Sequence, residues 1–482
     1  MRRSLPVALW QRQGLHGRSG GDASGTRDSE VSNSTIAAII LAAGKGTRMK
    51  SDLHKVLHPI AGRPMLLHLI DNVKTLNPEK TVVVVGAGRD QVERAAAPHG
   101  VATAHQVEQL GTGHAVQQAK DALGDFDGDV LILYGDVPLV SAETMQRLTG
   151  RLHGADSPAV VVLGFRPADP GAYGRVIVEP GSDRIAKMVE FKDANAAERA
   201  ETLCNSGLMA VRSRDLFALL DRVGNDNAAG EYYLPDIVML AAADGRASAV
   251  IETDASEVAG VNSRAELAMV EGAWQQRRRA RAMADGATLI APETVWFAYD
   301  TEVGRDVVIE PHVVFGPGAK IADGAVIHAF SHVEGASVSG GANVGPFARL
   351  RPGAVLEADS KVGNFVEVKN ARLGKGAKAS HLTYLGDAEV GAEANIGAGT
   401  ITCNYDGFLK YRTVVGAGAF IGSNSALVAP VTIGDGAIVA AGSVVTRDVE
   451  ADALVLARGT QEAKPGWAAK FRAIMAAKKR GG

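Results

Sequence analysis

The sequence predicts two domains of different architecture, an α/β doubly wound sheet followed by a β-helix. Two patterns support this prediction. Apolar runs of strand length alternate with helical segments in the first half, and an aliphatic residue recurs every six positions in the second half. The chain of 482 residues is also longer than one hydrophobic core usually organises. We expect a leader at 1–34, an α/β domain at 35–262, a linker helix at 263–285, and a β-helix domain with a C-terminal tail at 286–482.

Composition excludes several classes of protein. The formal net charge of -3 gives no strong field for nucleic acid or for an acidic membrane surface. No apolar run reaches the roughly 18 residues that suggest a membrane span. Cys204 and Cys403 are the only cysteines, so a disulfide framework is not indicated and a reducing, cytoplasmic compartment fits. We therefore expect small molecules as partners, with no nucleic acid and no membrane.

The two ends of the chain differ from the rest. The first 34 residues are rich in Arg, Ser and Gly, and their apolar run PVALW is too short for the core of a signal peptide. A transit peptide is an alternative, although Asp22, Asp28 and Glu30 do not suit one. We expect a disordered leader or a start codon placed too early. The lysine-rich end MAAKKRGG is also expected to be disordered.

The first half contains three continuous apolar runs, TIAAIILAAG, TVVVVGAG and DVLILYGD, which are typical of buried parallel strands. The segments MLLHLIDNVKTL and GHAVQQAKDAL have helical periodicity. This alternation predicts a doubly wound sheet, whose ligands bind at the carboxyl ends of the strands. The Arg-rich segment 265–285 is predicted to be a polar helix that links the domains.

The first strand leads into the motif LAAGKGTRM. Gly44 and Gly46 would let the backbone approach a ligand closely, and Arg48 adds a positive charge for phosphate. Lys55 follows seven residues after Arg48. The motif is neither a Walker loop nor the dinucleotide pattern GxGxxG. A tight turn with ordinary surface cations is the alternative, but the combination favours a phosphate site.

The second half repeats with a period of six residues, which fits neither a helix nor a lone amphipathic strand. It fits a β-helix, in which the aliphatic residue points inward and small residues turn each corner. The period slips by one residue at Val333–Val338 and breaks between Ile401 and Val415, where we expect an inserted loop on the binding face. The repeated aliphatic residues are Val303, Ile309, Phe315, Ile321, Ile327, Val333, Val338, Val344, Leu350, Leu356, Val362, Val368, Val415, Ile421, Leu427, Ile433 and Val439.

Several motifs along the chain together resemble one enzyme family. They are EQLGTGHA, LYGDVPL, YGRV, CNSGLM, GVNSRAEL, HLTYLGD and GTITCNYDG. The chain resembles the bifunctional bacterial N-acetylglucosamine-1-phosphate uridyltransferase / glucosamine-1-phosphate N-acetyltransferase family from about Ile36 to the C-terminal tail. The resemblance implies a Rossmann-like nucleotidylyltransferase domain, a left-handed β-helix of hexapeptide repeats and a homotrimer. It also implies acetylation of glucosamine 1-phosphate by acetyl-CoA, followed by transfer of UMP from UTP to give UDP-N-acetylglucosamine, a precursor of peptidoglycan and lipopolysaccharide.

The resemblance assigns the uridylyl-transfer site to the first domain. Arg48 and Lys55 would neutralise the triphosphate, and Asp136 and Asn262 would ligate Mg²⁺. Asp136 could also be a turn former or a helix N-cap, since Asp often follows a strand in those roles. The remaining residues implied to bind UTP or UDP-N-acetylglucosamine are Leu41, Ala42, Ala43, Gly44, Gln106, Gly111, Thr112, Tyr134, Gly135, Gly174, Glu190 and Asn205.

Acetyl transfer to an amine requires a group that takes the amine's proton, and the resemblance gives this role to His381. A zinc site at His312, His328 and His332 is an alternative, although the sequence shows no tight cluster there. Asn395 could instead belong to an internal Asn ladder of the β-helix. The residues implied to bind the glucosamine phosphate are Arg351, Lys369, Tyr384, Asn395 and Lys410. Those implied to bind acetyl-CoA are Ala398, Asn404, Tyr405, Ser423, Ala441 and Arg458.

Two other functions remain open. The chain could be a sugar nucleotidylyltransferase whose β-helix is only structural or regulatory, or a scaffolding solenoid with an inactive first domain. The motifs HLTYLGD and NYDG favour the bifunctional enzyme over the first alternative. Retention of Arg48, Lys55 and Asp136 favours it over the second.

Overall fold

The computed structural model describes residues 34–480. The prediction about the leader therefore lies outside the described residues, except for Ser34. Within the described part, an α/β sheet is followed by a long helix and then by a stack of short parallel strands. This order confirms the predicted fold class. Among residues 34–480, no helix combines the length and the apolar character that a membrane crossing requires.

A mixed sheet forms the centre of the first domain. Its strands in spatial order are Ala249–Thr253, Val160–Phe165, Cys204–Arg212, Asp129–Tyr134, Ile36–Ala42, Lys80–Val85 and Ala102–His105, and Arg175–Val178 pairs with Ile185–Val189 beside Cys204–Arg212. The three strands predicted from apolar runs are present and parallel to one another. Cys204–Arg212 is an unanticipated antiparallel strand. The first residue of this strand, Cys204, pairs with Phe165, the last residue of Val160–Phe165. The chain therefore re-enters the sheet at the end from which it left, so the new strand is antiparallel to its neighbour.

Helices cover both faces of this sheet. Those on one face are Met65–Lys74, Arg89–Ala96 and Ala142–Leu152, and those on the other are Thr112–Gln117, Lys120–Leu123, Ser213–Leu220 and Asp236–Ala243. The segment GHAVQQAKDAL therefore forms two short helices rather than the single predicted one. In the first strand, Ile39 faces one hydrophobic core and Ile40 faces the other. Burial on both faces explains why these strands are continuously apolar.

The linker helix runs from Arg264 to Ala284 and packs against both domains. Its Val270 lies in a small core with Met49 and Ile60 of the first domain. The buried Gln275 exchanges two hydrogen bonds with the main chain of Phe297 in the second domain, at 2.7 and 2.9 Å. The helix is therefore a packed joint between the domains.

The arginines of this helix contribute to the joint. Arg277 donates to the carbonyl of Leu139 in the first domain at 2.9 Å. Arg279 donates to the carbonyls of Glu293 and Val295 in the second domain. A charged run that looks like a solvated surface in the sequence therefore supplies polar contacts in both directions.

The second domain is a three-walled prism of parallel strands. The first wall contains Thr288–Leu289, Val308–Ile309, Val326–Ile327, Asn343–Val344, Asn395–Ile396, Phe420–Ile421, Ile438–Val439 and Leu454–Val455. The second contains Val314–Phe315, His332–Val333, Arg349–Leu350, Ile401–Cys403, Ala426–Val428 and Val444–Val445. The third contains Glu302–Val303, Lys320–Ile321, Ser337–Val338, Val355–Leu356, Arg372–Leu373, Ala388–Val390, Thr413–Val415 and Val431–Ile433. Two longer strands, Lys361–Lys369 and Lys378–Gly386, pair in the first wall at their start and in the second wall near their end.

The repeated aliphatic residues of the six-residue period point into the prism as predicted. All of them are buried except Val303, which is partly buried at the first coil. Asn395 pairs with Phe420 in the next coil, 25 positions later in the sequence. The extra residues lie between the strands Ile401–Cys403 and Thr413–Val415, so the broken period does correspond to an inserted loop.

The C-terminal prediction was partly wrong. Residues Trp467–Arg480 form an exposed helix that includes most of MAAKKRGG. The reason is local, because Ala, Lys, Arg and Met in this stretch are strong helix formers and no Gly or Pro interrupts it.

Candidate functional site

The first site is a cleft of about 330 Å³ at the carboxyl ends of Ile36–Ala42 and Asp129–Tyr134. The chain leaves these two neighbouring strands in opposite directions along the sheet. Ligands of open α/β sheets bind at such a point, beyond the carboxyl ends of the strands. The predicted residues that line the cleft are Leu41, Ala42, Ala43, Gly44, Lys55, Gln106, Gly111, Thr112, Tyr134 and Asp136. Gly135 does not line the cleft, but its N–H donates to the carbonyl of Leu41, which does, at 2.9 Å.

Lys55 joins the two predicted metal ligands. Its ammonium group contacts the Asp136 carboxylate and donates to Asn262 Oδ1 at 3.0 Å. The Lys55 and Asp136 side chains are only 12% and 16% exposed. Asp136 is not a helix N-cap, since Ser141 caps the helix that follows. Because the carboxylate and amide oxygens meet at one ammonium group, they form a donor set that also suits Mg²⁺.

The Gly-rich turn is built around Lys55. Gly46 has φ of 59°, and a Cβ atom there would lie 2.5 Å from the Cβ of Lys55. Glycine is therefore required by a close contact with the catalytic candidate, in addition to any approach of a ligand. Arg48 follows in the same turn and is exposed. Gln109 and Glu231 also line the cleft, and the sequence reasoning missed them.

A second cleft of about 290 Å³ brings together the predicted sugar residues Gly174, Glu190 and Asn205. The Asn205 N–H donates to the Gly174 carbonyl at 2.9 Å, and a Cβ on Gly174 would lie 3.2 Å from Glu190 Oε1. Burial raises the pKa of Glu190, and the carboxylates of Asp236 and Asp193 raise it further. The cleft is therefore rich in acceptors for hydroxyl groups.

The sequence reasoning missed other residues of this second cleft, namely Asp193, Asn227, Tyr233 and Asp236. The last three follow one another in the segment NDNAAGEYYLPD, which also supplies Glu231 to the first cleft. A polar, Gly-containing loop that ends in two tyrosines was the available signal. This shared segment places the two clefts side by side.

In the β-helix, His381 lies on the edge between the first and second walls. Its Nδ1 is 2.7 Å from Asn364 Oδ1 in the preceding coil. An amide oxygen only accepts hydrogen bonds, so Nδ1 donates in this contact, and in the neutral ring Nε2 is then the nitrogen that keeps its lone pair. The contact leaves His381 with one free basic nitrogen at the surface.

Three predicted acetyl-CoA residues continue the same edge. Ala398, Ser423 and Ala441 occupy the position of His381 in the next three coils, as the strand register shows. Arg458 donates to the Ala441 carbonyl at 2.8 Å. A long ligand could therefore follow this edge towards His381.

A cluster of cations lies at the opposite edge of the second wall. The ammonium group of Lys410 lowers the pKa of Lys369, and the Arg351 guanidinium lowers it further. Lys369 therefore lies close to both Lys410 and Arg351, and Arg351 also pairs with Glu367 at 2.7 Å. Tyr384 lies on the wall between this cluster and His381. Such a group of cations is suited to an anion such as a phosphate.

Three predicted residues lie elsewhere. Asn395 is on the first wall, so the same chain does not bring it to Lys369. Asn404 donates to the Asp387 carboxylate, which also accepts a hydrogen bond of 2.6 Å from Asn370. Asn404, and with it the neighbouring Tyr405, therefore lies beside the cation cluster and apart from the edge of Ala398 and Ser423.

The three histidines of the zinc alternative do not form a cluster. His328 contacts Glu310 at 3.0 Å, whereas the ring of His312 stacks on Phe330. His332 lies on the second wall. Within residues 34–480, no group of three or more His, Cys, Asp or Glu residues is arranged to hold a metal ion.

The fold and the two sites define a class of two-domain transferases, with a nucleotidyltransferase domain ahead of a hexapeptide-repeat domain. Residues 38–222 match the family model of the MobA-like NTP transferase domain. Residues 300–335 and 412–447 match the bacterial transferase hexapeptide model.

Full-length relatives identify the family. A protein of Sphingopyxis alaskensis is 67% identical over 448 residues, which cover 93% of this chain and 98% of that protein. One of Rhizorhabdus wittichii is 71% identical over 444 residues, and one of Zymomonas mobilis is 59% identical over 439 residues. The matched residues cover 92% and 91% of this chain, and 98% and 97% of those two proteins. All three are named bifunctional protein GlmU, and the chain belongs to this GlmU family.

Proposed function

We propose that the chain is a bifunctional enzyme that makes UDP-N-acetylglucosamine in two steps. It acetylates glucosamine 1-phosphate with acetyl-CoA and then transfers UMP from UTP to the product, releasing pyrophosphate. The observation that carries the proposal is that one chain contains the groups for both reactions. Lys55, Asp136 and Asn262 meet in the first domain, and His381 faces a wall that ends in a cation cluster.

Uridylyl transfer needs no protein base, because the attacking phosphate oxygen of the sugar 1-phosphate is already ionised at neutral pH. The protein's task is to align the attack and to spread negative charge around the α-phosphorus. Lys55 lines the cleft, and Arg48 in the adjoining Gly-rich turn would add a second positive charge when the triphosphate binds. Asp136 and Asn262 would hold Mg²⁺, which supplies further charge neutralisation on the triphosphate.

Acetyl transfer uses the free Nε2 of His381. The amine attacks the thioester carbonyl, its proton passes to Nε2, and coenzyme A leaves as the thiolate that the proton then neutralises. Gly386, which pairs with Lys369, follows His381 by five residues, or about 16 Å of extended strand. The long side chains of the cation cluster shorten this span. Glucosamine 1-phosphate therefore lies across the second wall, with its phosphate at the cluster and its amine towards His381.

We propose further that the acetyl-transfer site is shared within a homotrimer. Asn395 lies on the first wall and Lys369 on the second, so both reach one acceptor only if walls of two copies face each other. Closed cyclic symmetry then gives three equivalent sites. Mixing the inactive variants Asn395→Ala and Lys369→Ala tests this arrangement. If the site is shared, oligomers formed by refolding the two variants together should regain acetyl transfer. If the site is built within one chain, the mixture should remain inactive.

The remaining assignments belong to the same proposal. The enzyme works in the cytoplasm on a precursor of cell-wall and lipopolysaccharide sugars. Residues 35–262 contain the groups that contact the uridylyl-transfer substrates, 263–285 form the linker, and 286–482 contain the groups for acetyl transfer. The leader 1–34 takes no part in either reaction.

A mass-spectrometric omission assay tests the main proposal. The protein is incubated with glucosamine 1-phosphate, acetyl-CoA, UTP and Mg²⁺, and each component is then left out in turn. Complete mixtures should give UDP-N-acetylglucosamine, and omission of UTP should leave N-acetylglucosamine 1-phosphate. A protein that consumes only supplied N-acetylglucosamine 1-phosphate would instead have a structural or regulatory β-helix.

A further inference from the structure

The first turn of the linker helix contacts Asn262, which accepts a hydrogen bond from Lys55 in the nucleotide site. Glu266 Oε2 accepts hydrogen bonds from the Asn262 N–H at 2.7 Å and from the Ser263 hydroxyl at 3.1 Å. The Ser263 hydroxyl in turn caps the helix by accepting from the Glu266 N–H. The backbone of Asn262 is therefore fixed by the helix cap, while its side chain accepts from Lys55.

Arg264, in the same turn, contacts two other parts of the site. Its guanidinium donates to the Met49 carbonyl at 3.3 Å and to His58 Nδ1 at 3.2 Å. Met49 directly follows Arg48, and His58 ends the short turn that begins at Lys55. Arg264 therefore connects both cation-bearing turns to the linker helix.

Only one assignment of donor and acceptor is possible in the hydrogen bond between Arg264 and His58. Arginine can only donate, so His58 Nδ1 accepts and the neutral ring carries its proton on Nε2. Burial lowers the pKa of His58, and the positive charge of Arg264 lowers it further. Both effects favour the neutral form of His58, which is the form that can accept a hydrogen bond from Arg264.

We propose that Arg264 and Glu266 are positioning residues for uridylyl transfer. Neither side chain lines the nucleotide cleft, yet together they set the relative placement of Arg48, Lys55 and Asn262. The inference rests on the proposed uridylyl transfer and extends it, because it makes the start of the linker helix a part of that site. Displacement of a catalytic group by about 1 Å can cost about 10²-fold in rate.

The test compares full-length Arg264→Ala and Arg264→Lys with Arg281→Ala. Arg281 lies at the other end of the same helix in an exposed pair with Asp285, so it is a matched control. We expect Arg264→Ala to lower kcat for uridylyl transfer by about 10- to 10²-fold, with a smaller change in KM for UTP and no change in acetyl transfer. Arg264→Lys should recover little, since one ammonium group cannot replace the forked contact. Guanidinium ion should restore part of the rate of Arg264→Ala.

Glu266 is tested by a second pair of variants. Glu266→Gln keeps an acceptor oxygen for the Asn262 N–H and should retain most activity, whereas Glu266→Ala should lose it. Hydrogen exchange without nucleotide or Mg²⁺ provides an independent readout. Arg264→Ala should speed exchange at residues 55–58, and Arg281→Ala should not.

Two results would overturn the positioning role. One is a uridylyl kcat of Arg264→Ala equal to wild type. The other is a loss of kcat that guanidinium does not restore and that comes with an equal loss of acetyl transfer, which would indicate a general folding defect. Wild-type protein without uridylyl transfer would instead refute the proposed function itself, so the two failures can be distinguished.

Discussion

The two domains assemble their sites in different ways. In the β-helix, Asn364, His381, Ala398, Ser423 and Ala441 share one edge because each occupies the same position in successive coils. In the α/β domain, Lys55 meets residues that lie 81 and 207 positions away in the chain. A structural repeat converts sequence spacing directly into position, whereas a doubly wound sheet brings together strand ends that no spacing relates.

The same contrast holds for the cores. The β-helix has one interior, and the repeated aliphatic residues from Ile309 to Val439 are all buried in it. The α/β sheet has two cores, one on each face, and its central strands are apolar along their length. The comparison predicts that a change on the β-helix edge acts on one reaction only, while the first domain depends on the helix that follows it.

The largest expected effect is on the β-helix edge. His381→Ala should lower acetyl transfer by about 10²–10⁴-fold, because the amine loses its general base. Uridylyl transfer should stay at the wild-type rate, since His381 lies in the other domain. Separate assays of the two reactions provide the measurement. His332→Ala, an exposed histidine on the second wall, is the control and should change neither rate. Acetyl transfer of His381→Ala within a few-fold of wild type would exclude the histidine as base.

The next effect concerns the first domain by itself. A fragment of residues 34–285 should retain Mg²⁺-dependent uridylyl transfer, whereas a fragment of residues 34–262 should be at least about 10²-fold slower. The shorter fragment lacks Arg264, Glu266 and the helix that buries Met49 and Ile60. Initial rates and circular dichroism of both fragments provide the measurement. Equal rates would show that the α/β domain orders its own site.

The smallest effect is a difference in acid sensitivity. Burial lowers the pKa values of His54, His58 and His68, all in the first domain. The pKa of histidine in an unfolded chain is about 6.5, so below that pH these histidines bind more protons in the unfolded domain than in the folded one. The stability of the first domain should therefore fall as the pH drops from about 6.5 towards the folded pKa values.

The β-helix should respond at lower pH. A hydrogen bond from His328 lowers the pKa of Glu310, so the stabilisation from this carboxylate is present above its unfolded pKa of about 4.3 and is lost only as the pH falls below it. Calorimetry at pH 7.5 and pH 5.5 should show a larger shift for the transition of the α/β domain. A larger shift for the β-helix transition would contradict this comparison.

Features that depend on local pattern could be predicted from the sequence. The six-residue period identified the inward residues from Ile309 to Val439, and the break after Ile401 located the inserted loop. Continuous apolar runs identified the three central parallel strands of the first domain. These predictions succeeded because a short period or an apolar run fixes which side of the backbone is buried, with little dependence on distant residues.

Features that depend on distant contacts became visible only in the folded chain. These include the reversed strand Cys204–Arg212, the packing of the linker helix against both domains, and the separation of Asn395 from Lys369. The meeting of Asn262 with Lys55, and the support that Arg264 gives to both cation-bearing turns, belong to the same group. All of these features have the same cause. Each depends on how separate helices and strands pack together, and the sequence pattern within one element does not specify that packing.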